Sequence, residues 1–355
     1  MFTTSAQAWN QRTDWRTGRP VPADPRAARP AWRPPAKPGT LPKRPLRFIE
    51  GLDGGFRLIR AQPGATVGLA LVVNALWTLA LGALLAFLVW LSMGFFTTVF
   101  SDPEALSGFA LLAQFGAVAH SLLTLSLIQF AGAFAALAAH ASFTGERLGL
   151  GRAWAELRGV RLRLIGTVAA LFGCHVALLA LCALPGLIAA GLHSTLAATA
   201  LMVIGFVLWV GLTVYLAVRT AFTGPAIACE RLGGRAAVRR SWALTRCGFW
   251  RTLGQLLFGS WLSSRILEVV IAPFLLVLYA AALVVLALAA GSELSGGLAI
   301  GIAAGLGLAL VAASIASAAV LMAYWAGLAA VVYFDRRMRA EGYDLVLLRE
   351  AEARG

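Results

Sequence analysis

LAIGIAAGLGLALVAASIASAAVLMAYWAGLAAVVYF, residues 298–334, runs for 37 positions without a charged side chain. A helix needs about 20 apolar residues to cross a bilayer. Asp335-Arg336-Arg337 then ends the run abruptly. Five further stretches read the same way: 65–97, 106–140, 164–192, 195–222 and 254–290. The 254–290 stretch would reach roughly 55 Å as one helix, so a break at Pro273 is expected, leaving a second piece.

Composition agrees with these runs. Hydrophobic residues make up 59% and charged residues 13%, with mean hydropathy +0.79. A globular domain carries about 25% charged residues. A soluble enzyme, a disordered chain and a secreted disulfide scaffold are thereby excluded. The fold class expected is all-α: a polytopic integral membrane protein with six transmembrane helices.

The net charge of +14 invites a nucleic-acid reading, but its placement opposes it. Twelve of the thirty Lys and Arg lie in 1–64, five in 147–163, seven in 219–251 and five in 336–354. Arg265 stands alone. The linkers 98–105, 193–194 and 291–297 have none. Basic residues kept to alternate connections are the signature of positive-inside insertion. Both termini are therefore expected in the cytoplasm, at the cell membrane. The basic surface would meet anionic lipid headgroups, and no nucleic acid is expected as a partner.

Nine of the fourteen prolines fall in residues 1–45, among arginines and few aliphatics. This reads as a disordered cytoplasmic tail. The membrane domain is expected over 46–345 and a short cytoplasmic tail over 346–355. From 46, Ile49, Leu52, Phe56 and Ile59 recur at helical spacing among charged residues, which predicts an amphipathic helix in the membrane interface.

An internal repeat emerges next. Phe56-x3-Arg60-x7-Gly68 recurs as Trp154-x3-Arg158-x7-Gly166 and as Trp242-x3-Arg246-x7-Gly254. Each unit closes on an acid and an arginine: Glu146-Arg147, Glu230-Arg231 and Asp335-Arg336. Three units are expected, about 46–147, 148–231 and 232–336, each an interfacial helix followed by a transmembrane hairpin. Arg60, Arg158 and Arg246 would contact lipid headgroups.

The edges of these units carry a family resemblance. Pro45-Leu46-Arg47-Phe48-Ile49-Glu50-Gly51-Leu52 enters the first unit. Pro225-Ala226-Ile227-Ala228-Cys229-Glu230 and Arg240-Ser241-Trp242-Ala243-Leu244-Thr245 follow. Tyr333-Phe334-Asp335-Arg336-Arg337-Met338-Arg339-Ala340-Glu341-Gly342-Tyr343-Asp344-Leu345 closes the third. Over about 46–350 the chain resembles stand-alone actinobacterial members of the glycerophosphoryl diester phosphodiesterase membrane-domain family. Members that give the family its name fuse this domain to a catalytic barrel. This sequence has no His-Arg and Glu-Asn-type catalytic segments, so the resemblance does not carry the activity over.

Arg265 and Glu268 are the sharpest polar feature in an apolar run, with Ser264 beside them. At i, i+3 they share a helix face. Counted from Gly254, Arg265 lies about 16 Å into the span, where an ionisable residue marks a site. The alternative is an arginine that snorkels to the interface. If the site is real, the pair should face the bundle interior. Gly297, Gly301, Gly305 and Ala309 step by four along the last span, a face on which another helix can pack closely. That helix could belong to this chain, to a second copy or to a membrane partner. His120, His140, His175 and His193 have no metal-ligand spacing, and the four cysteines form no CxxC pair. No cofactor is implied. No phosphate loop, GxSxG or HExxH motif is present, so no enzyme is expected. The function expected is a non-catalytic scaffold or accessory protein for envelope or lipid-linked processes. The alternative is a transporter or lipid-handling protein with Arg265 and Glu268 in its path, which requires a polar cavity reaching mid-membrane.

Overall fold

The computed structural model describes residues 39–91, 103–290 and 296–354. Among them there is helix and turn but no strand. Helix α1 (Phe48–Ala61) passes through a π-helical turn (Gly64–Gly68) into α2 (Leu69–Leu91), and α3 (Pro103–Thr144) returns. Short α4 (Leu150–Glu156) precedes α5 (Arg161–Gly191) and α6 (Thr195–Thr220), which continues into α7 (Thr223–Glu230). Helix α8 (Gly234–Arg246) precedes α9 (Phe249–Ala290) and α10 (Gly296–Glu341), and α11 (Tyr343–Arg354) closes the chain. Six of these segments are long and apolar enough to cross a membrane. The protein is an all-α polytopic membrane protein. Three times, a short helix precedes two long ones.

Helices α3 and α10 form the centre. Ala133, Phe134, Ala136 and Ala139 of α3 and Tyr324, Leu328, Val332 and Tyr333 of α10 are buried. Small residues let neighbouring backbones come close. Gly51, Leu52, Gly54, Gly55 and Leu58 form the buried face of α1. A β-carbon on Gly55 would meet the Tyr324 ring, and one on Gly54 would meet Val331. Thus α1 docks on α10 through glycines. Ile49 is exposed, and only Leu52, Phe56 and Ile59 of the expected apolar stripe turn toward the core.

The outer faces of α5, α6 and α9 are apolar and exposed, for example at Leu187, Phe206, Val269 and Leu276. In water such a surface would aggregate; beside lipid it is the required one. Residues 192–194 turn α5 into α6, with His193 in the left-handed region at φ 57°. The Leu192, His193 and Ser194 amides close back onto Ile188, Ala190 and Ala189.

Three expectations change here. Helix α9 runs unbroken through Pro273. Proline removes one intrahelical bond, and a membrane helix tolerates that loss. The ordered structure begins before 46: Leu41 is buried, and the Thr40 amide donates to the Ser142 carbonyl at 3.0 Å. At the other end, 346–354 is not a loose tail but the body of α11, with Leu347 buried. Residues 1–38, most of the expected tail, lie outside the described residues, as do parts of the linkers 98–105 and 291–297.

Candidate functional site

The starts of α2, α5 and α9 and the ends of α3, α6 and α10 meet at one end of the bundle. Polar bonds knit that basic end together. Buried Gln62 follows α1; its Nε2 donates to the Glu146 carbonyl at 2.5 Å, and its Oε1 accepts the Leu148 amide at 2.7 Å. Arg231 Nη2 donates to the Glu156 carbonyl at 3.0 Å, filling an orphan acceptor at the end of α4. Ser241 accepts the Phe222 amide at 3.1 Å and donates to the Arg219 carbonyl at 2.7 Å, fixing α8 under the end of α6.

The closing motif supplies the strongest ties. Asp335, 1% exposed, accepts the Leu46 amide at 2.7 Å and Arg339 Nε at 3.0 Å. Arg251 Nη2 donates to the Leu46 carbonyl at 2.6 Å. Glu230 accepts Arg240 Nε at 2.9 Å and the Tyr333 hydroxyl at 2.7 Å. Arg240 reaches on to Glu341 at 2.5 Å, and Arg337 lies 3.2 Å from Glu341. Both carboxylates hold the Arg240 guanidinium charged and push its pKa upward. Glu50 accepts the Arg47 amide at 2.8 Å at the start of α1 and pairs with Arg44 at 2.7 Å. These partners hold its carboxyl down at about 2.

This end fixes the depth of the site. Arg251 sits in the first turn of α9. Arg265 follows fourteen residues later, about 21 Å along the axis. Between those levels a cavity of about 570 Å³ opens between α3, α6, α9 and α10, well within the range of about 300–1,000 Å³ usual for small-molecule pockets. Its wall is mainly apolar, from Leu125, Ile128, Val214, Leu257, Trp261 and Leu328. Set into it are Gln129, Thr213, Ser260, Ser264 and Arg265. Gln129 Oε1 accepts the Gly224 amide at 3.2 Å. The Thr213 hydroxyl is buried with no hydrogen-bond partner among the described residues. Trp325 Nε1 donates to Ser263 at 3.2 Å behind the wall.

Arg265 Nη1 lies 2.7 Å from Glu268 Oε2. Both side chains are more than half exposed, at 55% and 59%, so the pair does not face the bundle interior. Arg265 lines the cavity from the exposed flank of α9, and Glu268 lies outside the lining. Ser264 lines the cavity directly.

Arg60, Arg158 and Arg246 are all exposed at the basic end. Phe56 packs 4.3 Å from the Tyr324 ring. Trp154 stacks on Phe134 at 6.1 Å, and Trp242 meets Tyr215 at 6.1 Å. Each repeated aromatic thus leans on a long helix. Gly301 and Gly305 have open space around them, and Ala309 is half-buried; Gly297 lies in the first turn of α10. Trp77 Nε1 donates to His120 at 2.6 Å, tying α2 to α3. His175 Nδ1 bonds the Leu171 carbonyl at 2.7 Å. Among the described residues no three His, Cys, Asp or Glu gather to hold a metal.

The sequence singled out Arg265, Glu268 and Ser264; Arg265 and Ser264 line the cavity, together with Gln129 and Thr213 from other helices, which it did not single out. Gln129 is one of two glutamines in 106–140, with Gln114, so the signal for it was ambiguous; a threonine in a transmembrane run gives none. No family model, curated protein or solved structure matches this chain.

Proposed function

We propose that this protein is a non-catalytic lipid-handling accessory of a bacterial cytoplasmic membrane, and that its cavity holds an amphiphile bearing an acidic group. One observation carries the reading: a largely apolar cavity at membrane depth, with hydroxyls and an amide on its wall and a single cation, Arg265, at its mouth. Apolar wall suits an acyl chain. A guanidinium beside Glu268 keeps donors in reserve for a second acid. Basic residues gathered at one end support cytoplasmic termini, and exposed Arg60, Arg158 and Arg246 suit anionic headgroups. The threefold order of short and long helices supports repeated hairpins. The likeness to the phosphodiesterase membrane-domain family belongs to the same reading. Open backbone at Gly301 and Gly305 is the face where a second copy or a partner span would pack.

The test is native mass spectrometry of the full chain, loaded with phosphatidylglycerol or phosphatidylcholine. Wild type should retain phosphatidylglycerol preferentially. Ser264→Phe, which narrows the cavity, should remove one bound phosphatidylglycerol per chain at unchanged thermal midpoint. Equal retention by Ser264→Phe would refute the reading.

A further inference from the structure

A second cavity, of about 530 Å³, opens at the basic end, where α1 turns into α2 and α3 leaves the bundle. Arg60 and Arg147 stand on its wall, with Thr40, Gly64, Ser142 and Glu146. Both arginines are exposed, and neither has an ion-pair partner among the described residues. Their neighbours on the same surface are committed: Arg44 to Glu50 and Arg57 to Asp53. Glu146 is the one acid on the wall, so the lining keeps a net positive charge.

The two cations are held in fixed relation. Gln62 lies two residues beyond Arg60, and its side chain grips the loop carrying Arg147 through the Glu146 carbonyl and the Leu148 amide. Gly145, at φ 74°, turns that loop back over α1. Gly64 lies on the wall where the helical run into α2 begins, and the Thr66 amide there is already held by the Gln62 carbonyl at 3.2 Å. The level is also set. Gly64 begins the first span and Thr144 ends the second, so the cavity lies where headgroups lie.

We infer that this cavity binds the phosphate of an anionic lipid headgroup between Arg60 and Arg147. Two guanidiniums suit a phosphate because each can offer paired N–H donors to its oxygens. This makes the three repeated arginines unequal. Arg60 has a cationic partner across a cavity, whereas no cavity described here includes Arg158 or Arg246. The site is independent of the intramembrane cavity. A free phosphate ester offers the same chemistry, and the experiment separates the two sources.

The full chain is loaded with phosphatidylglycerol or phosphatidylcholine and read by native mass spectrometry, and its thermal midpoint is followed with inorganic phosphate. Arg60→Gln with Arg147→Gln should remove one bound phosphatidylglycerol per chain, the one that Ser264→Phe leaves in place, and leave phosphatidylcholine unchanged. Arg57→Gln, outside the cavity, should behave as wild type, and Ser264→Phe should leave this component of retention intact. A midpoint rise with inorganic phosphate that the double variant loses, without any preference for phosphatidylglycerol, would keep the phosphate chemistry and overturn the lipid assignment. Undiminished phosphatidylglycerol retention in the double variant would overturn the inference. If that variant does not fold, Arg60→Lys with Arg147→Lys decides. Loss of one bound phosphatidylglycerol per chain supports a paired-donor site, and equal retention refutes it.

Discussion

The Tyr333 hydroxyl donates to Glu230 at 2.7 Å, joining the last long helix to the end of α7 across 103 positions of sequence. The same carboxylate holds Arg240 of α8, and Arg240 holds Glu341 of α10. Tyr343 faces the cluster from α11, its ring 4.2 Å from the Arg337 guanidinium. One acid therefore ties α8 and α10 to the end of α7. Glu230→Gln should destabilise the protein by about 2 kcal/mol, the scale of hydrogen bonds to charged groups. Tyr333→Phe should cost about 1 kcal/mol. Glu50→Gln, at an exposed pair, should cost less than either. Thermal unfolding in mild detergent checks the order. Equal midpoints for Glu230→Gln and Glu50→Gln would deny the network any weight.

Helices α5 and α6 touch through a glycine. A β-carbon on Gly205 would collide with the Cys182 backbone carbonyl, which has nowhere to retreat within its own helix. Gly211, six residues on along α6, has nothing within 4 Å of that position. Gly205→Ala should force the hairpin apart and cost about 1–3 kcal/mol. Gly211→Ala should be neutral or stabilising by up to about 1 kcal/mol, because alanine favours helix. The two midpoints, measured side by side, decide whether close approach or helix propensity governs this hairpin.

Apolar run length made the six spans legible, because the bilayer imposes a length on any helix that crosses it. The site was legible only where one helix carried it. Arg265 and Glu268 lie a turn apart, so spacing alone predicted their contact. The Glu230 cluster was present in the sequence as motif residues, yet nothing in spacing joins Tyr333 to Glu230 or Arg240 to Glu341. The face of α1 was legible only in part, for a related reason. Periodicity weighs large apolar residues, whereas α1 docks through Gly51, Gly54 and Gly55, which add nothing to an apolar stripe. The match at the unit ends runs further than the acid–Arg pair. Phe143-Thr144-Gly145-Glu146-Arg147-Leu148-Gly149 reappears as Phe222-Thr223-Gly224 and Glu230-Arg231-Leu232-Gly233, with Pro225 to Cys229 between. Those extra residues build most of α7, whose Gly224 lies so close to the Gln129 carbonyl that no side chain fits.

Orientation is open to cysteine chemistry. Cys247 is exposed at the basic end, while Cys174 is exposed on the apolar flank of α5. An impermeant maleimide is confined to water and does not reach a thiol facing hydrocarbon. In a variant retaining Cys247 alone, an impermeant maleimide should label broken cells and leave intact cells unlabelled. A variant retaining Cys174 alone should resist labelling in both. Labelling of Cys247 in intact cells would invert the proposed topology.

Glu268 accepts Arg265 at 2.7 Å on the exposed flank of α9, about 21 Å along the helix from Arg251. At that depth the exposed flank meets lipid or the cavity mouth rather than water. A lone arginine at the centre of a span costs about 2.5–3.5 kcal/mol on insertion scales, and an adjacent carboxylate offsets part of it. Glu268→Leu removes the offset and leaves the charge, so it should lower folded yield more than Arg265→Met with Glu268→Leu, which removes both. The double variant should fold near wild-type level because Met and Leu suit the lipid-facing surface. Its lipid retention should nonetheless fall if Arg265 holds the acid group of a bound amphiphile. Folded yield in mild detergent and retained phosphatidylglycerol are read on the same preparations. Wild-type yields for both variants would mean that Arg265 reaches the membrane surface along its own stem, and the cavity mouth would then lose its cation.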